Sequence, residues 1–288
     1  MAATEVEFSD DFKVTQEMKD AFNQYGYVIV RNVLSKEEVN KLFEVFDVSD
    51  LVKNHMDVYS DGDKHMCRKT MWNQPGNDVT GMLARCEKVA GTCEELIGGE
   101  VYHYHSKLMM KQPKIGGKHQ WHQDYGYWYH NTALRPNMMT VFMALDRCHK
   151  GNGCLQILEG SHLCGRIDHT RVGDQMGADM DRVKMVQEIC PLKYVELNPG
   201  DAVYFHCNIL HCSAVNTSLD RRWAILCAYN RADNNPVEKH HHPFYTPLNK
   251  VPNTAIMDCA TMWDSTGKDP FTTDKRLESN FGYIKREL

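Results

Sequence analysis

His122 and Asp124 stand two residues apart in Gln120-Trp-His-Gln-Asp-Tyr. On an extended strand, residues i and i+2 point to the same face, so one imidazole and one carboxylate are delivered together. A third ligand must come from elsewhere. His211, in Tyr204-Phe-His-Cys-Asn-Ile-Leu-His-Cys-Ser, is the candidate, because it follows a predicted strand in a region expected to fold back beside the first. Two histidines and one carboxylate form the facial triad of non-haem Fe(II) oxygenases. Three ligands on one face of an octahedron leave room for a bidentate oxo-acid and O2. Catalytic zinc usually keeps a single open position, so a zinc hydrolase on a cupin-like fold is the competing reading.

The chain carries 15 histidines, which makes a lone His-x-Asp pair a weak signal. The pair gains weight from Arg222, at the head of the predicted strand Trp223–Tyr229. A permanently charged, bidentate guanidinium is the natural clamp for the far carboxylate of 2-oxoglutarate, and Ser213 offers a hydroxyl to the same group. Register decides between Arg222 and its neighbour Arg221, since adjacent strand residues face opposite sides. His103, His105, His119, His130 and His149 read as core or surface histidines. His240-His-His lies on a Pro-flanked loop and reads as a solvent-exposed or pocket-rim tract.

These residues need a scaffold. Gln16 to Tyr25 has apolar residues at helical spacing, with Thr15 as N-cap and Gly26 as stop. Tyr27 to Val30 reads as a strand. Ser35 and Glu38 form a capping box ahead of Val39, Leu42, Phe43 and Phe46. Asp47 to Asn77 reads as irregular, and Val79 to Leu96 as one helix ending before Gly98-Gly99. From Val101 the texture turns to strands: Val101–Met110, Met138–Leu145, Cys154–Leu158, Tyr194–Leu197, Ala202–Phe205 and Trp223–Tyr229, separated by Gly-, Asn- and Pro-containing turns. Gly165 to Glu188 reads as a polar insertion. The expected fold is mainly β with helices (α+β): a double-stranded β-helix, or jelly-roll, packed by N-terminal and intervening helices. Residues 1–288 read as a single domain, with 1–100 as mainly helical support, 101–235 as the jelly-roll and 236–288 as a loop-rich tail.

Composition narrows the partners. A net charge of −5 on 288 residues supports neither a nucleic-acid nor an anionic-membrane surface. No apolar run approaches the roughly 20 residues of a membrane span. The acidic start, MAATEVEFSDDFKV, has no signal-peptide pattern, so a cytoplasmic location is expected. Eleven cysteines, an odd number without a CxxC pair, read as reduced thiols. The expected partner is a small-molecule substrate, and the expected state is a monomer or homodimer.

The motifs together resemble the phytanoyl-CoA dioxygenase superfamily, and within it the ectoine hydroxylases and L-proline trans-4-hydroxylases. Phe22-Asn-Gln-Tyr-Gly-Tyr-Val-Ile-Val resembles the family's amino-terminal entry, and Trp121-His-Gln-Asp-Tyr with Trp128 its first metal motif. Asn152-Gly-Cys-Leu-Gln-Ile-Leu-Glu-Gly-Ser-His resembles its central signature, with Glu159 where proline is usual. Cys207-Asn-Ile-Leu-His-Cys-Ser-Ala-Val-Asn, Arg222 and Tyr229-Asn-Arg-Ala-Asp-Asn resemble its last metal and oxo-acid segment.

The resemblance implies Fe(II) on His122, Asp124 and His211. It implies 2-oxoglutarate on Arg222 and Ser213, O2 as co-oxidant, and ascorbate as a supporting reductant. It places Phe205 and Lys111 near the oxo-acid and Trp128 in the substrate pocket. His105 and Met109 stand where the family often has Gln and Asn, a departure from the ectoine pattern. A free amino acid or small zwitterion is then the expected substrate, held by Tyr125, Tyr127, Trp128, Tyr129, Trp72 and Arg231, with His105 beside them. An acyl-CoA or another small metabolite, and a non-catalytic ligand-binding jelly-roll, are the alternatives.

Overall fold

The computed structural model describes residues 4–49, 52 and 54–270. Its frame is two facing sheets. The strands of the larger are β1 (Glu5–Glu7), β2 (Tyr27–Arg31), β3 (Asp57–Ser60), β4 (Met66–Trp72), β5 (Val101–Lys111), β7 (Met138–Ala144), β12 (Ala202–His206) and β14 (Arg222–Arg231), in the spatial order β1-β2-β12-β7-β14-β5-β4-β3. The smaller holds β6 (His119–His122), β8 (Leu155–Leu158), β11 (Leu192–Val195) and β13 (His211–Ser213), ordered β11-β8-β13-β6. A hairpin of β9 (His169–Val172) and β10 (Gln175–Ala178) lies against β6. This is the jelly-roll expected from the strand-and-turn texture.

Strand alternation builds two cores. Val28 and Val30, Val141 and Met143, and Ala202 and Tyr204 face outward, where they pack on helices. Tyr27 and Ile29, Phe142 and Ala144, and Val203 and Phe205 face inward, toward Leu155, Ile157 and Val195 of the smaller sheet. The outer layer consists of α1 (Gln16–Tyr25), α2 (Lys36–Val48), α3 (Val79–Arg85) and α4 (Thr92–Ile97), which contribute Phe22, Leu42, Leu83 and Leu96 to the outer core.

Local signals set the helix ends. Thr15 Oγ1 accepts from the Met18 amide at 3.3 Å, and Gly26, at φ 84°, closes α1 in the left-handed region that glycine enters without a Cβ penalty. Both halves of the Ser35–Glu38 capping box are formed.

Four readings are corrected. The segment taken as irregular supplies β3 and β4, so the first hundred residues contribute four strands to the larger sheet as well as its helical cover. The single helix read over Val79–Leu96 breaks at Cys86, whose extended backbone (φ −69°, ψ 151°) ends α3 before a π-helical turn over Glu87–Gly91. The supposed insertion folds into the β9–β10 hairpin and a helix over Met180–Gln187, with Val183 and Val186 buried. The strand placed at Tyr194–Leu197 lies two residues earlier, at Leu192–Val195. Among the described residues, no helix is long and apolar enough to cross a membrane.

Candidate active site

β6 and β13 pair antiparallel with His122 directly opposite His211, which brings the two imidazole centroids to 4.0 Å. Gln123 is extended (φ −110°, ψ 136°), so Asp124, the first residue of α5 (Asp124–Trp128), projects on the same side as His122. Asp124 Oδ1 lies 3.9 Å from His122 Nε2 and 4.0 Å from His211 Nε2. Among the described residues, these three form the one cluster of His, Cys, Asp or Glu with metal-holding geometry.

Hydrogen bonds fix the tautomers. His122 Nδ1 lies 2.7 Å from the Gln120 carbonyl oxygen and His211 Nδ1 lies 3.0 Å from that of Ile209. A carbonyl only accepts, so both Nδ1 atoms carry the proton, and both Nε2 lone pairs face Asp124. Each carboxylate oxygen is held as well: Thr140 Oγ1 donates to Oδ2 at 2.7 Å and Tyr127 Oη donates to Oδ1 at 2.8 Å. Burial lowers the His122 and His211 pKa values, and the adjacent His211 ring lowers that of His122 further. Burial alone would push Asp124 up, but the Lys107 ammonium and the Thr140 hydroxyl favour the ionised form and keep the carboxyl below its usual range. Two neutral imidazoles and one carboxylate on a buried face are the donor set that Fe(II) takes.

The approach to Asp124 is braced by the β9–β10 hairpin. His169 Nε2 accepts from the Gln123 amide at 2.9 Å, and Gly126 packs so closely on the His169 ring that a Cβ would lie 1.9 Å from its Cε1. Glycine at 126 is therefore a steric requirement of this close approach. His169 and Thr140 carry no local motif. The available signal for Thr140 was a single polar residue inside the apolar run Met-Met-Thr-Val-Phe-Met-Ala.

Register turns the two arginines to opposite faces. Arg222 pairs with Lys111 and is buried on the inner face, while Arg221 points out, over the Phe43 and Trp223 rings, with Asp146 at 3.0 Å. No hydrogen bond or ion pair joins the Arg222 guanidinium to a described residue, and its Nε is buried without a partner. Lys111 Nζ sits beside it, donating to Ser213 Oγ at 2.9 Å and to the Ala214 carbonyl oxygen. Burial and the Arg222 charge push the Lys111 pKa well down. Two buried cations side by side call for an anion. Phe205 packs against His211, with ring centroids 5.0 Å apart. His119 and Met109 line both the recess around Arg222 and the main cavity.

The main cavity, about 220 Å³, opens above the triad. Trp128 and His105 line it, together with Tyr127, Met71, Lys107 and His242. His242 stacks on His105 at 5.1 Å and bonds Asn73 Oδ1 at 3.1 Å, so the histidine tract supplies a wall of the pocket. Four residues expected in the pocket lie elsewhere, and one of them, Tyr129, is exposed at the surface under the Arg166 guanidinium. Trp72 points into the outer core against Trp263, because Met71 is the β4 residue on the inner face. Tyr125 lies behind the cavity, its hydroxyl donating to Ala133 O at 3.0 Å. Arg231 sits at the far end of β14, paired with Asp233 at 2.6 Å.

Burial pulls other imidazoles down too: His103 and His206 to about 3 and His169 to about 4. Unfolded, each takes a proton near pH 6.5; folded, each stays neutral until far lower pH. The stability they hold is intact above about pH 6.5 and is lost as pH falls toward the folded values, at about 1.4 kcal/mol per pH unit per imidazole. The metal-free protein should therefore show a steep drop in urea midpoint between pH 7 and pH 5. A flat midpoint over that range would contradict these assignments.

Comparison with known proteins places these features in context. The family model described as Phytanoyl-CoA dioxygenase (PhyH) matches residues 22–224. The chain is 30% identical over 192 residues to an L-proline trans-4-hydroxylase from Streptomyces griseoviridis, covering 61% of this chain and 72% of that protein. It is 29% identical over 188 residues to an ectoine dioxygenase from Streptomyces coelicolor, covering 60% and 61%. Among solved structures, EctD from S. alaskensis in its apoform superposes with a TM-score of 0.69 at 21% identity, covering 88% of this chain and 93% of that one.

Proposed function

The chain belongs to the phytanoyl-CoA dioxygenase family, and from that premise we propose that it is an Fe(II)- and 2-oxoglutarate-dependent hydroxylase acting on a free amino acid or small zwitterion. The observation that carries this reading is the convergence of His122, Asp124 and His211 next to the buried, unpaired guanidinium of Arg222. The three side chains would hold the iron. Arg222, Lys111 and Ser213 would hold the far carboxylate of the oxo-acid, with Phe205 as its apolar neighbour. With both bound, iron and oxo-acid supply the oxidising chemistry: O2, 2-oxoglutarate and a C–H bond become succinate, CO2 and a C–OH group.

The protein's part is orientation and exclusion of water. Carbonyls lock both imidazoles, Thr140 and Tyr127 lock the carboxylate, and the buried inner face keeps bulk water from the donors. The cavity supports a small substrate: at about 220 Å³ it would leave most of an acyl-CoA outside. Its wall carries both signs, Lys69 and Lys107 against Asp57 and Asp174, as a zwitterion requires.

The test is a screen of free amino acids and small zwitterions with Fe(II), 2-oxoglutarate and O2, read by mass spectrometry. A mass gain of one oxygen matched by succinate is expected. Iron retention with no succinate from any candidate would favour a non-catalytic binding protein instead.

A further inference from the structure

Four cations face the interior of the larger sheet: Lys69 on β4, Lys107 and Lys111 on β5, and Arg222 on β14. Three have a place already. Lys111 bonds Ser213 and Ala214 beside Arg222 in the oxo-acid recess, and Lys69 lies 4.0 Å from the Asp57 carboxylate and over the Tyr59 ring. Lys107 differs. It is half-buried in the cavity wall, with Met71 directly opposite on β4, and no hydrogen bond or ion pair joins its ammonium to a described residue. An ammonium in a cavity wall with no hydrogen-bond partner is free to take a charge-assisted bond from an anionic ligand.

Its position separates it from the oxo-acid. Arg222 is opposite Lys111, whereas Lys107 is opposite Leu226, four residues further along the same strand. That is about 13 Å of strand. Ser213 and His119 flank the Arg222 end, and Asp124 bonds Thr140, which pairs with Ala228 two residues beyond Leu226, so Lys107 stands between Arg222 and Asp124 along the sheet. One oxo-acid held at Arg222 and reaching the triad leaves Lys107 unengaged.

We propose that Lys107 anchors a carboxylate of the substrate, so that substrate and oxo-acid are held by two separate cations. The inference rests on the hydroxylase reading and adds to it the end by which the substrate is held. Trp128 and His105 would then flank the body of the molecule, in the part of the cavity between Lys107 and the triad.

The test uses the full-length protein, anaerobic and loaded with Fe(II) and 2-oxoglutarate. Each proteinogenic L-amino acid is titrated alongside its own carboxamide, with tryptophan fluorescence as readout. At least one acid is expected to bind about ten- to a hundredfold more tightly than its amide. In Lys107→Met that ratio should collapse to near one, and in Lys107→Arg it should persist. A lysine that merely tunes Asp124 would shift acid and amide alike and leave the ratio unchanged. The proposal is overturned by equal binding of acid and amide in the wild type, by an unchanged ratio in Lys107→Met, or by no amino acid binding at all. The wild-type acid-to-amide ratio decides the matter even if Lys107→Met fails to fold. Failure of the hydroxylase reading looks different: the wild type would then retain no Fe(II), or form no succinate from 2-oxoglutarate under air.

Discussion

Asp124→Ala is expected to abolish succinate formation, with turnover falling roughly a thousandfold or more. The expectation follows from how completely this side chain is committed. Its Oδ1 faces both imidazole Nε2 atoms, at 3.9 and 4.0 Å. Both of its oxygens are also held by hydroxyls, from Thr140 and Tyr127. Alanine removes the only anionic donor of the cluster and leaves those two hydroxyls without their acceptor. Two neutral imidazoles remain, and they offset none of the charge of Fe(II). Succinate quantified by mass spectrometry, alongside iron content of the purified variant, checks the outcome. Turnover at the wild-type level would remove the triad from the reaction.

Arg222→Leu is expected to raise the KM for 2-oxoglutarate by about a hundredfold or more, the loss anticipated when a buried charge-assisted pair is deprived of one partner. Arg222→Lys should recover only part of it, because the ammonium keeps the charge but not the bidentate fork. A second effect runs the other way. The guanidinium is buried, unpaired and next to the Lys111 ammonium, an arrangement that disfavours the ligand-free fold. Leucine at 222 should leave the ligand-free protein as stable as the wild type or more so, by up to about 4 kcal/mol. In the wild type, 2-oxoglutarate at a hundred times its Kd should add about 2.7 kcal/mol of stability, and in Arg222→Leu that increment should vanish at the same concentration. Thermal midpoints with and without 2-oxoglutarate, beside the KM, read both effects. A ligand-free Arg222→Leu protein much less stable than the wild type would show that Arg222 is a structural residue rather than an anion anchor.

The same geometry explains why the substrate end of the site was harder to read than the metal end. The metal ligands are carried by a local rule: an extended residue between His122 and Asp124 puts both on one side wherever the strand lies. The cavity wall has no such rule. Met71 and Trp72 are adjacent, and so are Arg221 and Arg222; which of each pair faces inward depends on how β4 and β14 pair with β5. The aromatic run Tyr125, Tyr127, Trp128 and Tyr129 offered four candidates, but only Tyr127 and Trp128 reach the cavity: Tyr125 packs behind it, and Tyr129, past the end of α5, lies under the Arg166 guanidinium. His169 was out of reach of any spacing argument, since it arrives from a hairpin 46 residues beyond Gln123.

What the amino-acid order determined by itself is the part governed by neighbours a few residues apart. The Thr15 and Ser35 caps, the stop at Gly26, the alternation that splits the strands into two cores, and the identity of the donor residues are all of that kind. Tertiary structure alone decided which face of each strand meets the iron site. It also decided that β3 and β4 complete the larger sheet, and that Lys107 and Arg222 share its inner face four strand positions apart. The physical reason is that a strand's period of two sorts its residues into two faces, and only pairing with distant strands determines which face is buried.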